Sequence, residues 1–302
     1  MKTHTQEYFY KYLTTNAGIA TLQNMTTKWS SPLLFNDPWD MQMKMQFSFS
    51  YDELKDAITK ELEQLVYQDE EPIFINHHLY FPMIVKLLRK NKHRIPKDQI
   101  IEQSKLGLDE GTINSQKILE DLNGIWKEEV RDSRVFCVSE DCENRLMWTH
   151  YADEYRGIVI KFKCLPEFDT ALCAAEKIMY TSSAPTIDFS LEDYVKEMTG
   201  QSDKKKNIAH EYTYTKSDDW AYEKEWRCRA KVHPDRGNVE DLFDFSKILP
   251  QEIDSVFFGF KISEENKQIF LDLLSHSDFN HVKIFITSKN FDSFCHEHEQ
   301  IR

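Results

Sequence analysis

The sequence predicts an α+β fold, in which a mixed β-sheet core carries a helical insertion at about residues 51–130. Segments rich in aromatic and β-branched residues lie before residue 50 and after residue 133, whereas apolar residues between them recur at spacings of three and four. Glycine and proline are scarce, at 8 and 9 of 302 residues, which is typical of a densely packed globular chain. Because no repeat or clean linker interrupts this pattern, residues 1–302 are predicted to form a single domain.

The composition narrows the class of protein. A formal net charge of −13 argues against a broad electrostatic surface for nucleic acid, although it permits a local basic cleft. The first residues lack an apolar signal core and no apolar run reaches the length of a membrane span. The six cysteines contain no Cys-x-x-Cys pair, which indicates reduced thiols. We therefore expect a cytoplasmic protein without membrane contact.

The N-terminal part is predicted to contain three strands, at residues 8–13, 26–30 and 41–49, with a short helix between the first two. Before the third strand, Asn36-Asp37-Pro38 has the composition of a turn. Two interpretations remain open for it: a plain turn, or a rigid loop that aims Asp37 or Asp40 into a cleft.

Residues 51–130 predict about four helices, the last two separated near Gly111. Strand patterns return after them, together with one short helix at 144–152 and a longer helical stretch at 191–213. A closing strand–helix–strand segment implies a parallel pair of strands at the sheet edge. The predicted strands of this half lie at 134–139, 157–162, 176–180, 255–260 and 282–286.

The stretch from Trp220 to Val232 is where we place the chemistry. From Tyr222 onward its residues alternate in character, which predicts a strand with Glu223, Glu225 and Arg227 on one face. Two carboxylates would then project side by side next to a guanidinium. An ordinary solvated strand face produces the same pattern, so both interpretations stay open at this point.

A set of motifs resembles a widespread bacterial family known only as a domain of unknown function. The resemblance spans most of the chain outside the helical insertion, and the family name implies no activity. The motifs that carry it are Tyr12, Phe35-Asn36-Asp37-Pro38, Phe136-Cys137-Val138-Ser139, Met147-Trp148-Thr149-His150-Tyr151-Ala152, Gly157 with its apolar strand, and Trp220-x-Tyr-Glu-Lys-Glu-Trp-Arg227.

More distantly, the chain resembles ADP-ribosyltransferase-like proteins. Its opening strand, short helix and Thr-x-Trp-Ser strand are similar to theirs, as is a late Glu-x-Glu pair that follows a loop. The usual first-strand His or Arg is absent, and Tyr10, Lys11 and Tyr12 occupy that neighbourhood. The middle Ser-Thr-Ser has no match, so Ser139 or residues 181–183 would stand in for it.

This second resemblance implies a fold of the ADP-ribosyltransferase type and an enzyme that uses NAD. Such an enzyme would be a bacterial toxin or an anti-phage defence effector that modifies nucleic acid or protein. Cleavage of the nicotinamide–ribose bond passes through an oxocarbenium-like state, which a carboxylate stabilises. Glu225 would hydrogen-bond the ribose, and Glu223 would orient or deprotonate the acceptor. His150 is an alternative base, since its ordinary pKa lies near neutrality.

The nucleotide site implied by the resemblance draws on aromatic, polar and basic residues. Tyr12, Trp148 or Tyr151 would stack on the nicotinamide, and Lys11 or Arg227 would hold a phosphate. The remaining candidate cofactor-binding residues are Asn36, Asp37 and Ser139. The structural alternatives are core packing for Trp148 and Tyr151, and a satisfied, half-buried histidine for His150.

Two other functions remain open. The chain would be a non-catalytic recognition or sensor module of a defence system if its Trp/Glu/Arg cluster only joins the sheet to the Trp148 helix. A metal-dependent nuclease would instead use convergent carboxylates, for which Asp37, Asp40, Glu223 and Glu225 are candidates. The tail Cys295-His296-Glu297-His298-Glu299 lacks a second ligand cluster at zinc spacing, so we predict a disordered tail and no metal site.

Overall fold

A computed structural model describes residues 3–76, 79–188, 190–204, 206–232 and 241–302. The chain divides into two compact units. The first comprises Met1–Gln42, Glu129–Ser183 and Tyr214–Arg302, and the second comprises Met43–Glu128 and Ala184–Thr213. The predicted insertion at about 51–130 overlaps the first segment of the second unit, which also contains residues 184–213.

All the strands of the described chain lie in the first unit, and most helical residues lie in the second. The strands are β1 (Tyr8–Leu13), β2 (Thr26–Ser30), β3 (Ser133–Ser139), β4 (Ile158–Lys163), β5 (Glu176–Lys177), β6 (Met179–Thr181), β7 (Thr215–Ser217), β8 (Glu225–Lys231), β9 (Phe243–Lys247), β10 (Ile253–Phe258), β11 (Lys283–Lys289) and β12 (His296–Gln300). The helices are α1 (Thr15–Asn24), α2 (Tyr51–Tyr67), α3 (Tyr80–Asn91), α4 (Lys97–Asp132), α5 (Arg145–Tyr151), α6 (Leu191–Met198), α7 (Ile208–Tyr214) and α8 (Glu264–Leu274). The predicted α+β class with a mixed sheet is therefore confirmed.

The main sheet is mixed and has β3 at its branching point. Its order is β12-β11-β10-β4-β1-β3-β2-β9, while β8 pairs with β3 and β5 pairs with β8. Along one edge β3 pairs with β8, and Ser139 lies opposite Glu225. Along its other edge β3 meets β1 where Ser139 faces Tyr10, and meets β2 where Val135 faces Ser30. Strands β1 and β2 therefore pair with β3 at different positions along its length.

Local sequence signals explain where three of the helices, α1, α2 and α5, begin. The side chain of Thr14 accepts a hydrogen bond from the backbone of α1, and Asn144 caps α5 in the same way. Ser50 and Glu53 form a reciprocal capping box at the start of α2. No helix in the described ranges is both long and apolar enough to cross a membrane.

The core of the first unit is centred on β4. Its consecutive residues Ile158, Val159 and Ile160 are fully buried, so apolar side chains cover both faces of the sheet there. Gly157 precedes this strand because a Cβ at this position would lie 2.1 Å from the carbonyl oxygen of Leu13. The predicted parallel pair, β10 and β11, is also confirmed.

Residues 41–49 do not form the predicted third strand. Several backbone N–H groups of this segment donate to side chains of the second unit rather than to a neighbouring strand. The acceptor of Met45 is Asn123, that of Gln46 is the hydroxyl of Tyr212, and that of Ser48 is Asp188. The alternation of apolar and polar residues there reflects packing of an irregular segment.

Two further predictions of local structure are wrong. Helix α4 runs unbroken from Lys97 to Asp132, so residues 51–130 form three helices rather than about four. Each of the three glycines in its sequence (Gly107, Gly111, Gly124) costs only about 1 kcal/mol, which a helix of this length tolerates. The C-terminal tail is not disordered, because β12 pairs with β11 along its whole length. The predicted strand at 176–180 is divided into β5 and β6, which belong to different sheets.

Candidate active site

A cavity of about 300 Å³ lies among β1, β2, β3 and the segments that precede β8. Its lining includes aromatic and basic side chains of the first two strands, among them Tyr10 and Lys28. Acidic side chains line another part of it. Seven of the predicted site residues line this cavity: Lys11, Tyr12, Asn36, Ser139, Tyr151, Glu223 and Glu225.

Four predicted site residues do not line the cavity. Trp148 is fully buried and packs against the rings of Tyr12 and Tyr155, which leaves no face for a nicotinamide ring. His150 is exposed on α5. Asp37 is buried and accepts a hydrogen bond from the backbone of its own turn, as a plain turn requires. Arg227 is fully buried, so its guanidinium is closed to a phosphate.

The acidic doublet is built differently from the predicted strand face. Residues Asp218–Glu223 form a 3₁₀ turn, and Lys224 has a left-handed backbone with φ of 44°. The strand β8 therefore begins at Glu225, and Glu223 lies outside it. The two carboxylates still converge, because both are hydrogen-bonded to the ammonium group of Lys216.

Lys216 is the centre of a buried ion cluster. Its Nζ lies 2.6 Å from Oε2 of Glu223 and 3.0 Å from Oε2 of Glu225. A third carboxylate oxygen, Oδ2 of Asp40, lies 3.5 Å from the same ammonium. The side chain of Lys216 is 5% exposed, so water screens these attractions weakly.

Arg227 completes this cluster from the neighbouring position of β8. Its Nε donates to Oε1 of Glu225 over 2.7 Å, and its Nη2 donates to Oε2 of Glu225 over 3.1 Å. The same Nη2 forms an ion pair with Asp40. The buried ion cluster thus holds three carboxylates (Asp40, Glu223, Glu225) against two cations (Lys216, Arg227), which leaves one negative charge uncompensated when all are ionised.

The surroundings separate the pKa values of the three carboxyls. Burial opposes ionisation of Glu225, but Arg227 and Lys216 outweigh it and lower the pKa of Glu225 well below its usual value. Burial raises the pKa of Asp40 and of Glu223, although neighbouring cations pull both down. Oδ1 of Asp40 is buried and has no hydrogen-bond partner in the described part of the chain. A carboxyl with a raised pKa next to one with a lowered pKa is an arrangement suited to acid–base work.

Hydrogen bonds attach the cluster to the rest of the cavity wall. The hydroxyl of Tyr151 donates to Oε1 of Glu223 over 2.5 Å, and Nδ2 of Asn36 donates to that hydroxyl over 3.1 Å. Ser139 donates to the backbone carbonyl oxygen of Glu223 over 2.6 Å. Burial and the nearby Glu223 carboxylate raise the pKa of Tyr151, so its hydroxyl stays protonated as a donor.

Three site residues carry little sequence signal. Lys216 lies between threonine and serine, a context typical of any exposed loop. Asp40 follows the turn at residues 36–38, and its sequence context offers it only as an alternative to Asp37 or as one of four candidate carboxylates for a metal ion. Lys28 lies on β2. A single lysine in a strand usually marks a solvent-facing position, so it does not indicate a site.

Residues 147–228 match a family model described as "Protein of unknown function (DUF2971)". The matched segment covers less than half of the chain, and it contains Tyr151, Lys216 and the Glu223–Glu225 doublet. Similarity to an uncharacterised family is therefore confirmed over this segment. No curated protein and no solved structure matches the chain.

Proposed function

We propose that this protein is an ADP-ribosyltransferase-like enzyme that cleaves the nicotinamide–ribose bond of NAD. One observation carries the proposal. Tyr10, Ser139 and Glu225 lie side by side across three adjacent strands, β1, β3 and β8. The resemblance described above calls for a first-strand residue, a middle serine and a late glutamate, and this row supplies one of each.

The cavity suits part of NAD. Its volume of about 300 Å³ lies at the lower end of the ~300–1,000 Å³ typical of small-molecule sites. It therefore fits a nucleoside-sized portion of the dinucleotide, and the remainder would extend past the exposed side chain of Asn36. Lys11 and Lys28 supply positive charge near the diphosphate, in place of the buried Arg227.

Glu225 is suited to stabilise the oxocarbenium-like state because its carboxylate is ionised inside a buried wall. Three N–H groups of Arg227 and Lys216 occupy most of the roughly four acceptor positions of this carboxylate. Another neighbour of this carboxylate is the thiol of Cys137, a weak donor that also lines the cavity. A ribose hydroxyl would exchange with that thiol and complete the set.

Glu223 is suited to move a proton. Burial raises its pKa above the usual value of a glutamate, which makes this carboxylate a stronger base than an ordinary one. Tyr151 and Lys216 each donate a hydrogen bond to one oxygen of the Glu223 carboxylate, and these two bonds fix its orientation in the cavity wall. In this proposal Glu223 takes the proton of a protein or nucleic-acid acceptor as the new bond to ribose forms.

The experiment is an assay of nicotinamide release from NAD, with protein and nucleic-acid acceptors supplied. We expect turnover by the wild type and a loss of ~100-fold or more in Glu225→Gln. The same assay is applied to Ser139→Ala, with Ser133→Ala as its matched control. Both serines lie on β3, but of the two only Ser139 lines the cavity. A folded wild type that neither binds NAD nor releases nicotinamide under these conditions would refute the proposal.

A second candidate function is the non-catalytic recognition or sensor module. The observation that favours it is the full burial of Arg227 between Asp40 and Glu225, an arrangement that joins β8 to the loop after β2 without any ligand. In that case Glu225→Gln lowers the free energy of unfolding and changes no turnover. A metal-dependent nuclease is less well supported, since the ammonium of Lys216 occupies the point where the three carboxylates meet.

A further inference from the structure

A second group of reactive side chains lies apart from the cavity in the first unit. Cys142 and Glu143 follow β3, and His296 and His298 belong to β12. The sulfur of Cys142, a carboxylate oxygen of Glu143 and a ring nitrogen of His298 all lie within 4.8 Å of one another. The sequence places no second ligand cluster near the tail, but in the fold Cys142 and Glu143 lie next to His298 and provide one.

Both histidines are oriented by a hydroxyl group on the side away from Glu143. Nδ1 of His298 lies 3.2 Å from Oγ1 of Thr287, which turns its Nε2 toward Oε1 of Glu143 at 2.6 Å. Nε2 of His296 lies 3.1 Å from the hydroxyl of Tyr155, which turns its Nδ1 toward Oε2 of Glu143 at 3.4 Å. Such outer hydrogen bonds are what fixes the ring orientation of metal-binding histidines.

His296 offers a ring nitrogen whose contact with Oε2 of Glu143, at 3.4 Å, does not form a hydrogen bond. Its side chain is 3% exposed, and its Nδ1 has no hydrogen-bond partner among the described residues. A buried polar atom without a partner is costly, unless a ligand supplies the missing bond. This nitrogen faces the same carboxylate as His298 does, from outside the group of three residues whose ligand atoms lie within 4.8 Å of one another.

We propose that this group binds a zinc-like divalent transition-metal ion through Cys142, Glu143 and His298, and that Nδ1 of His296, 3.4 Å from Glu143, turns toward the ion as the fourth ligand. One thiolate, one carboxylate and two imidazoles make up the borderline donor set that zinc prefers, and four ligands satisfy its tetrahedral geometry. Binding converts the Cys142 thiol to a thiolate, whose proton goes to solvent. Any proton shared between Glu143 and the histidines leaves in the same step.

The bound ion has a structural role. It joins β12 at the edge of the sheet to the loop between β3 and α5. That loop contains Asn144, the N-cap of α5, and α5 ends with Tyr151 of the cavity wall. The ion would hold the start of this helix in place. This inference is independent of the proposed enzyme activity.

The test is zinc binding by the purified full-length chain, first stripped with a chelator and then dialysed against zinc. Metal content and calorimetric titration give the stoichiometry and affinity. We expect a single tightly bound ion per chain, and at least ~10-fold weaker binding in both Cys142→Ser and His298→Gln. Cys295→Ser is the matched control, because its thiol is exposed in the same segment but outside the group. That variant should bind zinc like the wild type.

Two further readouts keep the test independent of folding defects. Zinc should raise the thermal unfolding temperature of the wild type and of Cys295→Ser, but not that of Cys142→Ser. Cobalt should give a thiolate charge-transfer band in the wild type that Cys142→Ser lacks. The proposal is overturned if the folded wild type takes up no zinc. Equal affinity for zinc in the wild type, Cys142→Ser and His298→Gln would overturn it as well, and would leave the group as ion pairs alone.

Discussion

The two ends of β8 carry ion pairs of the same chemical kind in different surroundings. At the first end, Glu225 and Arg227 are buried, and Arg227 has no exposed side-chain surface. At the other end, Arg229 and Lys231 both pair with Glu129, whose side chain is 22% exposed. Water reaches the second group and weakens its attractions, whereas it is largely excluded from the first.

This difference in burial decides what each group can do. The partly exposed pairs do not separate the pKa values of different carboxyls, since both cations share one carboxylate, that of Glu129. In the buried ion cluster, Asp40 and Glu223 have raised pKa values while Glu225 has a lowered one. Alternating charges along one strand are therefore structural at one end and suited to chemistry at the other.

The largest effect on stability is expected from Arg227→Leu. Removing this guanidinium leaves Glu225 and Asp40 buried with Lys216 as their remaining cation, and breaking a buried pair typically costs ~3–5 kcal/mol. Urea denaturation of the folded wild type and variant measures the change in the free energy of unfolding. A loss below ~1 kcal/mol would mean that the cluster is hydrated and that the contrast between the two ends of β8 fails.

Coupling between Lys216 and Glu223 is expected to be the next largest effect. A double-mutant cycle of Lys216→Met and Glu223→Gln should give an interaction energy of ~1–3 kcal/mol, because their atoms are 2.6 Å apart and buried. The corresponding cycle for Lys231 and Glu129 on the exposed end should give ~1 kcal/mol or less. Equal coupling energies in the two cycles would contradict the role assigned to burial.

The dependence of stability on pH should also distinguish the carboxyls. Burial raises the folded-state pKa of Glu223 above the ~4.3 of an unfolded glutamate. The stability that its proton contributes is fully present below ~pH 4.3 and is lost as the pH rises through the folded value. The free energy of unfolding of Glu223→Gln should therefore decline less than that of the wild type as the pH rises from ~4.3.

Glu225 should show the opposite sign. Arg227 and Lys216 lower its folded-state pKa, so its contribution is present above ~pH 4.3 and is lost as the pH falls through the folded value. Denaturation curves of Glu225→Gln should be less sensitive to acid than those of the wild type. The same pH response in both Gln variants would show that the two carboxyls share one environment.

The smallest effect is expected from Arg229→Leu. Its Nη2 pairs with Glu129 where both side chains are about one-fifth exposed, at 19% and 22%. Pairs that water can reach contribute ~1 kcal/mol or less, and added salt reduces that further. Urea denaturation at low and high ionic strength would measure both. A loss comparable to that of Arg227→Leu would remove the distinction between the two ends.

Some of the site follows from local sequence and some does not. The closeness of Glu223 and Glu225 follows from their spacing in the sequence, whereas Tyr12 and Ser139 are placed in one site only by the family resemblance. Lys216 and Asp40 follow from neither, because their partners come from distant segments whose approach only the fold determines. The pattern in Glu223–Arg227 predicts one strand face, yet the positive φ of Lys224 turns Glu223 out of the strand.

The fold shows the same division. Strands with buried apolar residues, such as β3 and β4, are evident from their sequences. Strand β12 is not, because His296 to Gln300 contains no apolar residue and gains its order from hydrogen bonds to β11. Residues 41–49 show the opposite case. Their alternating pattern predicts a strand, but none forms, because side chains accept hydrogen bonds from several of their backbone N–H groups.

The most direct test of the account is the rate of nicotinamide release from NAD by Glu225→Gln compared with that of Glu129→Gln. Both variants remove one carboxylate that pairs with an arginine of β8. We predict that Glu129→Gln retains the wild-type rate and that Glu225→Gln, shown to be folded, falls ~100-fold or more. Equal rates in the two variants, or no release by the wild type, would contradict the proposal that the buried end of β8 is the catalytic one.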